Sequence, residues 1–509
     1  MELLRIDKKS LWTNLFSLAL ILVFLGGNVF AADSTWNGGT GNWNVDGNWT
    51  PSGVPNGSSY NVLIDGGNIG INSFVNLNTS VSVGNLTIDT GDTLDINNGH
   101  VLTMGLDGGS IINNGNISLS STGSGTYLRL GAPSVLLTGT GTLMLGNNAN
   151  NAIDATNSND RLTNDSNHTI QGSGNIGQNQ MNLTNLGTIT ANQPTNLTIN
   201  PYSGVTNSGT FRANSGSTLI VTDNLTNYSA NTLTGGTYDV ADTMKLPVPT
   251  TETIATNAAT IILDGPSSAI LRYSGDANAL AGFATNAAIG DFTIKNGRNF
   301  TTAGAFSNAG KMTFETLSDF IVGALQNYTQ TAGMTTVNGS LTAALVDIQA
   351  GILKGSDTII GNVTINGGTV QPGNSPGIMN IIGDYSQSAD STLDIEILNN
   401  VLASGGYDQL SITGTASLAG TLNVSLLPGA VISDGDTFNI IHYASCPSEF
   451  SYYVGPFDNS QSFFFTYEYR SNDLVLTAHG AVPLPPSLLL FGSGLLSIGF
   501  FMRKKFKRQ

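Results

Sequence analysis

The sequence predicts an all-β chain wound as a right-handed parallel β-helix, a solenoid of stacked coils, and three observations lead there. Short segments alternate apolar and polar side chains, as in Asn85-Leu86-Thr87-Ile88-Asp89 and Thr93-Leu94-Asp95-Ile96-Asn97. That is the period of a strand with one buried face, and no helical apolar periodicity runs beyond about ten residues through the middle of the chain. The segments are separated by Gly-Asn, Asn-Gly, Gly-Gly and Ser-Gly pairs, which supply the positive φ that tight turns require. Charge is scarce: Asp, Glu, Lys and Arg make up 10% of the 509 residues, against roughly 25% in an ordinary globular domain.

A five-residue pattern of Asn, any, Gly, any, apolar recurs at Asn113 to Ile117, Asn185 to Ile189, Asn207 to Phe211 and Asn308 to Met312. Asn185 and Asn207 are 22 residues apart, a plausible length for one coil, while the other spacings are irregular and read as quasi-repeats with insertions. At about 22 residues per coil, residues 60–379 form roughly 14 to 15 coils stacked about 4.8 Å apart. Stacking also explains the scarcity of charge, because like charges at equivalent positions of neighbouring coils lie within about 5 Å of one another. A series of β-sandwiches is the alternative for the same strand content.

Two segments flank the repeats. Residues 32–59 carry Trp36, Trp43 and Trp49, three of the four tryptophans of the chain, and are expected to cap the apolar end of the first coil. The alternative for these three rings is a stacking platform for glycan. The other segment is Pro372-Gly373-Asn374-Ser375-Pro376-Gly377, followed by Tyr407 to Ile412 and Gly420 to Val424. Both segments resemble parts of secreted autotransporter-like adhesins, in which such a Pro-Gly-Asn-Ser-Pro-Gly turn precedes the last β segments. The resemblance implies a closing β domain over residues 380–479.

The two ends read as addresses. Residues 1–31 combine Arg5, Lys8 and Lys9, the apolar run Leu15 to Leu25 and small residues near the end, the three parts of a signal peptide with cleavage after Ala31 or, alternatively, Ala32. Residues 480–509 hold Val482-Pro483-Leu484-Pro485-Pro486, an apolar run from Leu488 to Met502, and the basic tail Arg503, Lys504, Lys505, Lys507 and Arg508. As a helix that run reaches about 23 Å, short of a hydrocarbon core near 30 Å, and the tail stays on the cytoplasmic side. This tripartite end resembles the PEP-CTERM sorting signal of Gram-negative bacteria, in its variant with Leu484 inside the Pro-rich motif. The resemblance implies an exosortase-type processing enzyme, a transient stay in the inner membrane through the C-terminal transmembrane helix, and release to the cell surface or extracellular matrix.

Between the ends, ten basic residues stand against 32 acidic ones, which excludes the phosphate-binding footprint of a nucleic-acid partner. Chemistry is sparse. The close acidic groupings are Asp92 with Asp95, Asp390 with Asp394 and Glu396, and Asp434 with Asp436; each also fits a turn or a solvated strand face. His100, His168, His442 and His479 lack zinc spacing, and Asp434-Gly435-Asp436 is at most a weak calcium turn. Cys446, the lone cysteine, receives no role. The expectation is a non-enzymatic, exported adhesin-like protein without cofactor or metal, associated with exopolysaccharide in biofilm. A polysaccharide lyase or glycosidase on the same scaffold is the alternative.

Overall fold

The computed structural model describes residues 32–64, 72–106, 108–323, 326–402, 405–457 and 463–480. Among them regular structure is almost entirely strand, and the chain is a parallel β-solenoid of about 14 turns. No described helix is long and apolar enough to cross a membrane. The predicted signal helix with Ala31, the motif Val482 to Pro486, the C-terminal helix and the tail Arg503 to Arg508 lie outside the described residues; Ala32 opens the first strand, Ala32–Trp36.

Two compact units divide the chain, one over residues 1–188 and 199–204, the other over 189–198 and 205–509. In the first, one face of the coil is built by Phe74–Leu77, Thr93–Asn97, Asn116–Ser120, Thr142–Leu145 and Thr169–Gly172, paired in parallel. Strand alternation turns every second side chain inward, so Val75, Leu94, Ile117, Leu143 and Ile170 stack at matching positions and are fully buried. In the second unit the equivalent column runs Phe211, Tyr238, Ile261, Phe292, Met312, Thr335, Leu353, Val370, Leu393, Leu422. The step along it varies from 17 residues between Leu353 and Val370 to 31 between Ile261 and Phe292. Strand register is kept and the turns absorb the difference, which is why the sequence shows no strict period. Each fully buried Leu, Ile or Phe contributes about 1.5–3 kcal/mol relative to exposure.

The recurrent Asn pattern is a set of buried amide ladders. In the second unit, Asn257 Nδ2 donates to Asn286 Oδ1 at 2.9 Å, and Asn286 Nδ2 donates to Asn308 Oδ1 at 2.9 Å. All three residues are fully buried. In the first unit Asn164 donates to Asn185 in the same way. The Gly two positions on leaves room for the neighbouring coil: a Cβ at Gly187 would lie 2.2 Å from the carbonyl oxygen of Asp165, and one at Gly310 2.3 Å from that of Ala287. The last position of the pattern, Ile117, Ile189, Phe211 or Met312, enters the apolar column. Where Gly139-Thr140-Gly141 brings no amide to the level above Asn113, the buried His168 closes the gap, with Nε2 at 3.0 Å from Asn113 Nδ2 and Nδ1 at 3.0 Å from Asn164 Oδ1. These contacts fit a neutral ring protonated on Nδ1, and burial holds its pKa down at about 4 against the opposing pull of Asp165.

Charges obey the same stacking. Arg129 pairs with Asp154, Arg212 with Asp239, Lys295 with Asp264 and Lys311 with Asp291, each across one coil at register-matched positions. The expected like-charge burden is thus met by alternating sign. The strongest of these is Arg129, which grips the buried Asp154 with two nitrogens at 2.8 and 2.6 Å.

Aromatic rings gather near the beginning of the first unit and near the end of the second. Trp36, Trp43 and Trp49 are 1%, 0% and 1% exposed, packed edge to face with centroids 5.0 and 4.7 Å apart. Their indole N–H groups donate to the carbonyls of Gly39, Pro55 and Trp43 respectively. The alternative reading of Trp36, Trp43 and Trp49 as a glycan contact is corrected accordingly, since the rings are spent on the first coil and present no face to a sugar. Near the end of the second unit Phe450, Phe463 and Phe465 are buried and Tyr453 stacks on Tyr467 at 3.9 Å. The parallel ladder passes residue 380 without a break, through Ser391–Ile397, Thr421–Leu426 and Tyr452–Val454. Beyond it, Thr437–His442 pairs antiparallel with Asp473–His479, which in turn pairs antiparallel with Phe464–Tyr469. The alternating pattern that suggested a separate closing domain is common to parallel and antiparallel strands, so it carried no information about the change of pairing.

Replacing Asn286 by Leu strands the amide of Asn257 and the carbonyls of Gly290 and Lys311. The expected loss is on the order of 1–3 kcal/mol, read as faster amide hydrogen exchange across Asn257 to Met312. The depressed pKa of His168 gives a second test: the unfolded chain takes up a proton at the ordinary value of 6.5 and the folded one only near 4. Stability contributed by the neutral ring is therefore lost as pH falls from about 6.5 to 4, and urea titrations of His168→Gln should show a flatter pH dependence over that window than the parent.

Candidate functional site

Lys354 lacks the cross-coil carboxylate that the four cations above have. Lys354 stands in register between Thr336 and Gln371, neither of them acidic, and its ammonium has no hydrogen-bond or ion-pair partner among the described residues. It faces a cleft of about 260 Å³ on the outer wall of the second unit, bounded also by Gln371, Asp394, Glu396, Asn423, Ser425 and the Pro372 to Ser375 turn.

The cleft exists because the chain leaves the wall at this turn. Strand Gly368–Pro372 ends in Gly373 at φ 91°, where a Cβ would lie 2.2 Å from the backbone nitrogen of Gly377. Ser375, at φ 65°, hangs over the wall and donates its hydroxyl to Glu396 Oε2. The turn is anchored below by Asp408, 1% exposed, whose carboxyl oxygens accept from Gly377 N and Glu396 N, both at 2.8 Å. Burial pushes the Asp408 carboxyl up to about 7; the two backbone N–H groups oppose this and the neighbouring Glu396 and Asp394 add to it. The result is one carboxyl whose protonated form is favoured by burial beneath two others on the wall.

Along the wall the coil ladder sets the spacing. Asp394 is register-matched with Asn423 and Glu396 with Ser425. Gln371 Nε2 donates to Asp394 Oδ2 at 3.1 Å and Asn423 Nδ2 to Asp394 Oδ1 at 3.0 Å, so three successive coils carry an amide, a carboxylate and an amide. Among the described residues this leaves free the amide oxygens of Gln371 and Asn423, their second N–H groups, and the Lys354 ammonium, a surface rich in both donors and acceptors. No aromatic ring lines the cleft.

Of the acidic groupings read from the sequence, Asp394 and Glu396 meet here and Asp390 does not. Asp408 lies outside every local grouping and reaches the site through the fold; its signal was the segment Tyr407 to Ile412 that follows the turn. Asp92 and Asp95 are split between the two faces of a strand end: Asp92 is buried and accepts from Ser73 N at 2.7 Å, while Asp95 faces out toward Ser120. Asp434 and Asp436 hold backbone N–H groups of Gly480 and Ser433. Among the described residues no group of three His, Cys, Asp or Glu side chains is arranged to hold a metal ion. His442 pairs with Asp473 at 2.9 Å, His479 stacks on Phe464, and the half-buried Cys446 thiol donates to Ser448 O, burial pushing its pKa up.

No protein family matches this chain, and no curated protein matches it.

The raised pKa of Asp408 has the opposite consequence to that of His168. The folded state holds the proton up to about 7 and the unfolded state only to 3.8, so this contribution to stability is complete below the unfolded value and is lost as pH rises through about 7. Asp408→Asn should remove that slope between about pH 4 and 7 in urea titrations, and lower stability at acid pH because one of the two backbone N–H donors loses its acceptor.

Proposed function

We propose that this chain is an exported structural protein of the cell surface or extracellular matrix of a Gram-negative bacterium, adhesin-like in action and retained on exopolysaccharide in biofilm. The observation that carries the reading is the solenoid wall itself: coil after coil of Thr, Ser and Asn on the outward positions, with Arg129, Arg212, Lys295 and Lys311 each set against a carboxylate one coil away. Such a wall offers many weak hydrogen bonds at a regular spacing, and their multiplicity turns weak contacts into retention. The coils wind right-handed, as parallel crossovers nearly always do. Delivery rests on residues 1–31 and on the PEP-CTERM-like end, with cleavage at Ala31 or Ala32, an exosortase-type enzyme acting near Pro483 to Pro486, and a transient inner-membrane stage through the C-terminal helix.

The second reading, a carbohydrate-active enzyme, is favoured by one observation: Asp394, Glu396 and Asp408 line one cleft, with burial raising the pKa of Asp408 relative to the less buried pair, and glycoside hydrolysis uses two carboxyl groups set apart in this way.

Two measurements separate these readings. Intact masses of the protein recovered from the surface and medium of its host should correspond to a chain starting at Ala32 and ending near Pro486, and Pro483→Ala with Pro485→Ala should retain the tail; a parent mass that includes Arg503 to Gln509 overturns the sorting. Incubation with neutral and acidic polysaccharides should give retention on the insoluble polymer without new reducing ends or unsaturated uronate. Product formation abolished by Asp408→Asn would establish the enzyme instead.

A further inference from the structure

We infer that the cleft between Lys354 and the Pro372 to Gly377 turn is a saccharide subsite, which takes one neutral sugar unit of a polymer through adjacent hydroxyl groups. The inference rests on the polysaccharide-associated reading above for its choice of ligand.

Three features select that chemistry. First, the lining offers hydrogen-bond donors beside acceptors: the Lys354 ammonium and the spare N–H groups of Gln371 and Asn423, then the carboxylates of Asp394 and Glu396 and the two amide oxygens. A hydroxyl is the group that both donates and accepts, so adjacent hydroxyls can bridge a carboxylate and an amide where a carbonyl, an ammonium or a phosphate satisfies only one kind of partner. Second, the charge balance excludes the ionic alternatives. Two carboxylates flank a single ammonium, which disfavours an anionic ligand, and no three metal-binding side chains converge there. Third, the site is prepared in advance. Asp394 is clamped by amides from the coils on either side, and the overhanging turn is tied down through Asp408 and Glu396, so little ordering remains to be done on binding. Gln371, Asp394 and Asn423 follow one another at the coil spacing of about 4.8 Å, which runs the site along the wall as a chain-like ligand requires. Lys354 has a place in this account and none in the fold: the other wall cations described above neutralise a carboxylate one coil away, and this one is left for a ligand.

The test is isothermal titration of the full-length chain with cellotetraose, laminaritetraose, mannotetraose and galactotetraose, with tetragalacturonate as the acidic comparison. Saturable binding of at least one neutral oligosaccharide is expected, with a tenfold or greater loss in Lys354→Met, a variant that removes no hydrogen bond or ion pair among the described residues, and a similar loss in Asn423→Ala. Unchanged hydrogen exchange in Lys354→Met confirms that the fold is intact. The inference is overturned by absence of saturable binding, by affinities that Lys354→Met leaves within twofold, or by tighter binding of tetragalacturonate than of every neutral oligomer. If the chain is still retained on insoluble polysaccharide when the cleft binds nothing, this subsite fails alone; loss of retention as well removes the broader reading with it.

Discussion

Everything in this molecule follows from one constraint: each side chain lies next to the side chain at the equivalent position of the coils above and below, about 4.8 Å away. Apolar residues in such a column bury each other, and Val75 through Ile170 and Phe211 through Leu422 do so. Polar groups in a column must be complementary. Amides meet this requirement by themselves, since each can donate to the next and accept from the last, and the buried Asn257, Asn286 and Asn308 do. Charges cannot meet it in runs of one sign. The wall therefore carries few of them, and it sets Arg129, Arg212, Lys295 and Lys311 against carboxylates one coil away.

The ladder also sets what a break in the pattern costs. Where a coil lacks its amide, as at Gly139 to Gly141, a longer side chain has to span two levels, and His168 does so with one ring nitrogen toward each. An imidazole can serve there only while neutral, so a structural hydrogen bond becomes coupled to pH. Near the beginning of the first unit, large rings with satisfied polar atoms are buried. The indole nitrogens of Trp36, Trp43 and Trp49 all find carbonyl acceptors, which lets three of the largest side chains be buried without an orphaned donor.

The cleft is the place where the wall is interrupted on its outer side. The turn there is held down by carboxylates, and burial, with Glu396 and Asp394 nearby, raises the pKa of the most buried of them, Asp408. Gathering these groups beside an unpaired Lys354 runs against the charge economy of the rest of the wall, and this departure gives the cleft its functional interest.

Composition and local pattern were enough to read the strand content and the short turn-bounded repeats, because alternation, turn residues and charge scarcity are each properties of a single coil. The Asn, any, Gly, any, apolar motif was legible as a repeat, although its physical content was not: that Asn113 and Asn308 point inward, and that Gly187 and Gly310 pass a neighbouring carbonyl, depends on which coil lies beside them. Likewise Asp394 and Glu396 were visible as a pair two residues apart, since strand alternation alone puts them on one face. Asp408 was not, and neither was Lys354, because they join that pair across turns whose lengths vary from coil to coil. The sequence by itself determined what one coil is made of; only the tertiary structure decided which residues of different coils are neighbours, because the register is held by the strands while the intervening loops are free to differ in length.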